Sequence, residues 1–275
     1  MSGPSLSPLR RNARLMGTIA SVHVYDDLSE DQVDAAVSDA LAELERLEQM
    51  FSTFRADSVI SQVNRGDLNV LDAPPEVIEV LDACTWLEHA SNGAFSARRE
   101  DGSIDPAGFV KGWACERGAA RLAASGLSNF MFTIGGDLMV HGEPAPGQLW
   151  TVAIADPLHP DVVTRSIDIV DGAVATSGTS ERGNHIRLVP TTDNRSNTNT
   201  NTNTNTNTNY DNESPLLSLT VIGPSLTWAD AFATAAFAMG HKGLEWVAQF
   251  VGYEAIAIDR DGEVTTTAGF TQATV

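Results

Sequence analysis

The chain has 275 residues, 42% of them apolar, and a formal net charge of -19 from 36 acidic against 17 basic residues. That length and apolar fraction suffice for a buried core, while a field of that sign repels phosphate backbones and anionic head groups, which argues against nucleic acid as a partner. Cys84 and Cys115 stand alone, with no Cys-x-x-Cys pair and no histidine at metal-ligand spacing, so neither a disulfide framework nor a zinc site is expected.

Residues 1–14 are expected to form a disordered tail. Arg10 and Arg11 make a twin-arginine pair, but no apolar stretch follows them and no 18-residue apolar run occurs anywhere. Cytoplasmic residence without stable membrane insertion is the expectation. MGTIASVHVY (16–25) alternates apolar and polar residues as a half-buried strand does. Ser29 with Gln32 then reads as a capping box, and Val33, Val37, Ala40, Leu41, Leu44 and Leu47 fall on one helical face.

A second helix is expected after Pro74-Pro75, ending near Gly93, and a third over roughly Gly112–Ser125, stopped by Gly126. Strands follow at 129–134, 149–155, 165–170, 173–176 and 216–223. A fourth helical region starts near Trp228 and runs through ADAFATAAFAM, with GLEWVAQF (243–250) continuing it. Two short runs around Asp261-Gly262 then close the chain as a hairpin. Antiparallel-looking strands mixed with helices, without regular βα alternation, define an α+β protein. Residues 15–275 read as a single domain carrying a disordered loop at 194–213, because Asn and Thr alternate from Asn197 to Asn209 and offer nothing to bury.

An acidic protein that binds an anion such as a nucleotide must compensate its charge locally, through a bound cation, helix N-termini or backbone amides. Asp230 and Thr234 are one helical turn apart and present two hard oxygen donors to one point, as Mg²⁺ prefers. The same pair also serves as a charge on the helix dipole and a hydroxyl bonded one turn back. Gly135 and Gly136 in IGGDL permit close approach of a ligand to the backbone, with Asp137 as acceptor, or make an ordinary turn. No G-x-G-x-x-G or P-loop is present. Lys111, one of two lysines beside 15 arginines, either neutralises a phosphate or decorates the surface. In VATSGTSERGNHI (174–186), Thr176, Ser177 and Thr179 around glycines suit phosphate or flavin contacts. His185 is either a proton acceptor or a satisfied edge histidine.

Taken in order, MGT (16–18), FSTFRADSVISQVN (51–64), NGAF (92–95), DPAGFVKGWA (105–114), IGGDL (134–138), W-x-V-x-I-x-x-P (150–157), VATSGTSERG-x-HI, and LTVIGP followed by ADAFATAAFAMG resemble the ApbE family of FAD:protein FMN transferases. The resemblance covers about residues 15–259. It implies antiparallel sheets with packed helices, an ApbE-like and T-fold-related architecture. It also implies a reaction in which FAD is cleaved at its pyrophosphate and FMN is esterified onto a threonine of an acceptor protein, releasing AMP. Asp230, Thr234 and a backbone carbonyl near Gly108 match the family's Mg²⁺ ligands. His185 matches the general base. Met16, Gly17, Thr18, Ser52, Phe54, Asp57, Ser58, Gly135, Gly136, Asp137, Thr176 and Ser177 match positions near FAD.

Two departures from the family pattern stand out. RLVPTTDNRS follows His185-Ile186 where an Asp-Pro and a Thr-Gly turn are usual, leaving Asp193 as a stand-in, and Ser96 follows GAF where aspartate is frequent. FAD hydrolysis to FMN and AMP, or FAD binding without catalysis, are the alternative activities.

Overall fold

Strand β1 (Leu9–Leu15) pairs along its whole length with β2 (Thr18–Val24) in a computed structural model that describes residues 8–178 and 214–270. The reading of residues 1–14 as a tail is therefore corrected over 9–14. LRRNARL alternates like any strand, but Arg10, Asn12 and Arg14 hold the exposed positions and thin the apolar signal. Residues 1–7 lie outside the described residues.

From β2 the chain enters α1 (Glu30–Phe51), where the expected capping box forms: Ser29 and Gln32 exchange side-chain to backbone bonds. Next comes α2 (Val59–Arg65), capped by Ser58, which is too short for helical periodicity to show in sequence. Then follow α3 (Pro75–Ala90) and α4 (Ala107–Ala124). The latter begins five residues before the expected Gly112. Glycines 108 and 112 both sit inside the helix, at points of close approach to its neighbour.

The strands β3 (Phe130–Ile134), β4 (Asp137–His141), β5 (Trp150–Ala155), β6 (Val163–Ile169), β7 (Gly172–Gly178) and β8 (Leu216–Gly223) follow. The chain then forms α5 (Leu226–Met239), α6 (Lys242–Val247), β9 (Glu254–Asp259) and β10 (Val264–Thr266). Among the described residues, eight strands make one antiparallel sheet in the order β1-β2-β3-β4-β7-β8-β9-β10, and β5 with β6 forms a separate hairpin. The expected Asn/Thr loop falls between β7 and β8, outside the described residues.

Strand periodicity sorts the two faces of the sheet. Phe130, Phe132 and Ile134 of β3 join the main core with Leu44, Leu47 and Leu122 of the helices, while Met131 packs on the opposite side. There the β5–β6 hairpin sets Trp150, Val152, Ile154, Ile167 and Ile169 against Val140, Val174, Ile222 and Ile256. In α5 the buried residues include Phe232, Ala233, Ala236 and Phe237 on several sides, as suits a helix enclosed by the fold. Both cysteines are buried, and burial pushes the Cys84 thiol up to about 12 and the Cys115 thiol well above its usual range.

Helix α4 lies against both α1 and the sheet because Gly118 has no side chain. A Cβ there would stand 2.5 Å from Leu44 Cδ1 and 2.7 Å from Phe132 Cε1. Gly118→Val is expected to overpack this contact and destabilise the fold by about 1–3 kcal/mol, read as a lower urea midpoint at unchanged m-value.

Candidate active site

Two tight turns lie side by side at one end of the sheet. Met16-Gly17 joins β1 to β2 and Gly135-Gly136 joins β3 to β4, each with positive φ at both residues, the form that suits two-residue hairpins. Met16, at φ 53, is a non-glycine residue held in the left-handed region. The Gly135 N–H donates to the Ile19 carbonyl at 3.1 Å, and a Cβ at Gly135 would stand 3.0 Å from Thr18 Oγ1. Met16, Gly17, Thr18, Gly135 and Gly136 thus form one ledge, with Gly17 and Gly136 exposed and the other three half-buried.

Asp137 follows the second turn as the first residue of β4, fully buried. The Thr176 N–H donates to its Oδ1 at 2.9 Å, and the Thr176 hydroxyl pairs across strands with that of Thr220 at 2.8 Å. Its Oδ2 faces the Lys111 ammonium at 2.5 Å, and the same nitrogen is 3.5 Å from Asp230 Oδ1. The other oxygen of Asp230 accepts the backbone N–H of Gly112 at 2.9 Å. Lys111 therefore stands between two carboxylates supplied by β4 and α5.

Burial is the main cause that drives the Asp230 carboxyl up to about 7; the Lys111 ammonium opposes it and the Asp137 charge adds to it. Asp137 is also raised by burial, against the ammonium and the Thr176 N–H. With both carboxyls ionised, one ammonium shared by two buried acids leaves one negative charge in excess, and burial opposes that charge by favouring a proton on one of them. Thr234, one turn beyond Asp230, sets its Oγ1 3.4 Å from Ser177 Oγ on β7. Gly108, in the first turn of α4, backs onto the same place, since a Cβ there would meet Thr234 Cγ2 at 3.4 Å and the Phe95 ring at 3.1 Å. Oxygen donors surround this point. A carboxylate and two hydroxyls are the donor types of a hard cation rather than of zinc; no group of three or more His, Cys, Asp or Glu suited to a metal occurs among the described residues.

The remaining expected residues lie on the loop between α1 and α2. Ser52 closes α1, Ser58 caps α2 by accepting the Ser61 N–H at 3.0 Å, and Asp57 accepts from Gln49 at 3.2 Å and from Arg55 at 3.4 Å. The Phe54 side chain projects into solvent, 91% exposed. Asn64 ties this region to the approach to α4 by a reciprocal pair of 2.8 Å bonds with the backbone of Ile104. His185 and Thr179 lie outside the described residues, as does Asp193.

Sequence reasoning alone does not single out Asn64, Thr220 or Gly112. Asn64 and Gly112 sit within motifs read above, and their partners at Ile104 and Asp230 are 40 and 118 residues distant. A Cβ at Gly112 would stand 2.5 Å from the Leu226 carbonyl oxygen and 2.9 Å from Asp230 Cβ. The two helices therefore approach too closely for a side chain at the point where the carboxylate is held.

The ApbE family model matches residues 16–100 and 96–257. Among curated proteins, the chain is 30% identical over 145 residues to an FAD:protein FMN transferase of Chlamydia trachomatis, covering 52% of this chain and 42% of that one. It is 26% identical over 204 residues to the Salmonella typhimurium protein of the same name, covering 69% and 53%. The chain thus spans about half the length of the curated relatives it matches. Among solved structures, the apo form of the Pseudomonas stutzeri flavinyl transferase ApbE superposes with a TM-score of 0.75 at 20% identity over 100% of both chains. The ApbE protein of Thermotoga maritima gives 0.75 at 18% identity, over 96% of this chain and 98% of that one. These two likenesses bear on the fold, and the α+β architecture of antiparallel strands and packed helices agrees with them. With the family match running through every motif that builds the ledge and the acid–lysine–acid cluster, the chain belongs to the ApbE family.

Proposed function

We propose that this protein is a flavin transferase: it cleaves FAD at the pyrophosphate, joins FMN by a phosphoester bond to a threonine hydroxyl of an acceptor protein, and releases AMP. Its curated relatives carry the name FAD:protein FMN transferase. The observation that carries the reading is the meeting of Lys111, Asp137, Asp230, Ser177 and Thr234 close to the two glycine turns. In the reaction, the bond formed joins the threonine oxygen to the FMN phosphorus. The bond broken is the bridging P–O bond, whose electron pair leaves on AMP, and the hydroxyl proton passes to a base. His185 is proposed as that base on its sequence pattern.

The residues present fit a divalent cation. Asp230 offers a carboxylate, Thr234 a hydroxyl and Gly108 a carbonyl, and the excess negative charge of the cluster is what a second cation beside Lys111 would balance. Held by Asp230, Thr234 and the Gly108 carbonyl, Mg²⁺ would supply Lewis-acid stabilisation of phosphate charge. The chain's own residues do the rest. Lys111 contributes its ammonium toward the phosphates, the glycine turns allow the dinucleotide to approach the backbone, and Phe54 presents a ring for stacking. Asp57, Ser52, Ser58, Thr176 and Ser177 are assigned to the flavin nucleotide as well. No helix among the described residues is long and apolar enough to cross a membrane, and a cytoplasmic setting is part of the same proposal.

Incubating the protein with FAD and Mg²⁺, with and without a threonine-containing acceptor, tests the activity. AMP together with a fluorescent acceptor band is expected; AMP with free FMN alone means hydrolysis, and bound intact FAD without AMP means storage. Asp230→Ala is expected to abolish cation-dependent turnover. In contrast, His185→Ala should retain FAD binding, measured by flavin fluorescence, and lose transfer; normal transfer by that variant removes the histidine from its role. Lys111→Met, assayed in chelator, strands two buried carboxylates and is expected to lose about 3–5 kcal/mol of unfolding free energy at neutral pH, with an unchanged urea midpoint the contrary result.

A further inference from the structure

Helix α4 holds α5 at a second point, one turn beyond Gly112. The Glu116 Oε2 accepts the Ser225 hydroxyl at 2.9 Å, the Thr227 backbone N–H at 3.1 Å and the Thr227 hydroxyl in a short bond. Ser225 is itself the N-cap of α5, accepting the Trp228 N–H at 3.5 Å. An N-cap residue ordinarily satisfies the free N–H groups of its own helix. Here a carboxylate from another helix takes over part of that task.

Glu116 and Gly112 are spaced i, i+4 and lie on one face of α4. Their targets, Thr227 and Asp230, are spaced i, i+3 and lie on one face of α5. Two anchors one turn apart on both helices define the rotation of α5 against α4 as well as its translation, which the Gly112–Asp230 bond alone does not. A small rotation of α5 would move the carboxylate itself, because Asp230 is the other half of that bond.

We propose that Glu116 is a positioning residue for the site: by clamping the first turn of α5 to α4, it sets the place and direction of the Asp230 carboxylate. This rests on Asp230 being a cation ligand. Groups that orient a ligand without touching the metal commonly change its affinity by an order of magnitude or more.

Titration with Mn²⁺, followed by the EPR signal of the free ion, reads the effect without turnover. Glu116→Ala is expected to weaken Mn²⁺ binding by about tenfold or more, and Glu116→Gln, which keeps an acceptor oxygen, to restore most of that loss. Saturating Mg²⁺ should recover kcat of Glu116→Ala, which general damage to packing would not allow. A wild type that takes up no Mn²⁺ overturns the cation reading and this inference with it. A wild type that binds beside a Glu116→Ala protein of unchanged affinity overturns the inference alone. If Glu116→Ala does not fold, Thr227→Val removes one of the three bonds to the carboxylate; weaker Mn²⁺ binding supports the clamp and unchanged binding overturns it.

Discussion

The ammonium of Lys111, set between the buried carboxylates of Asp137 and Asp230, is the contact on which the rest of the site depends. It draws α4, β4 and α5 to one point, and every other group described there is held relative to one of those three elements. Burying ions costs several kcal/mol each unless they are well paired, and one ammonium does not balance two acids. A cluster arranged for stability alone would gain from an apolar replacement of similar volume. With both carboxyls ionised the cluster lacks one positive charge, so the fold keeps in its core a place where a second cation would be favoured.

The antiparallel sheet delivers the parts of this site with little freedom. Two-residue turns at Met16-Gly17 and Gly135-Gly136 come into register because β2 and β3 are neighbours, and the Ile134–Asp137 pairing sets the aspartate immediately beyond the second turn. Thr176 then performs two duties on adjacent bonds, its N–H holding Asp137 and its hydroxyl holding Thr220 on β8. From the other layer, the absence of side chains at Gly108 and Gly112 lets α4 reach α5 and Thr234. Backbone geometry, more than side-chain reach, brings these oxygens together.

Features governed by neighbours in sequence were readable without coordinates. The Ser29–Gln32 capping box, the alternation in β3 and β5, the closing hairpin around Asp261-Gly262 and the apolar stretch of α5 all follow from local preference. What escaped is non-local or too short. Strand β1 hides behind its arginines, α2 spans only seven residues, and β4 continues a turn that seemed to end the strand before it. Within the site, Asp230, Thr234, Lys111 and Asp137 each carried a chemical signal. That Lys111 stands between the two acids depends on contacts between residues 111, 137 and 230, and no spacing along the chain encodes it.

The arginines of β1 have a consequence for how molecules of this protein meet. Among the described residues that strand is one margin of the sheet, and a margin is where another strand could add. Two copies docking margin to margin through β1 would bring Arg10 and Arg14 of each into mutual repulsion, on a chain whose remaining charge is strongly negative. The opposite margin, β10, spans only three residues and offers little ladder to extend. Charge at one margin and brevity at the other are the two devices that disfavour edge-to-edge growth of an open sheet.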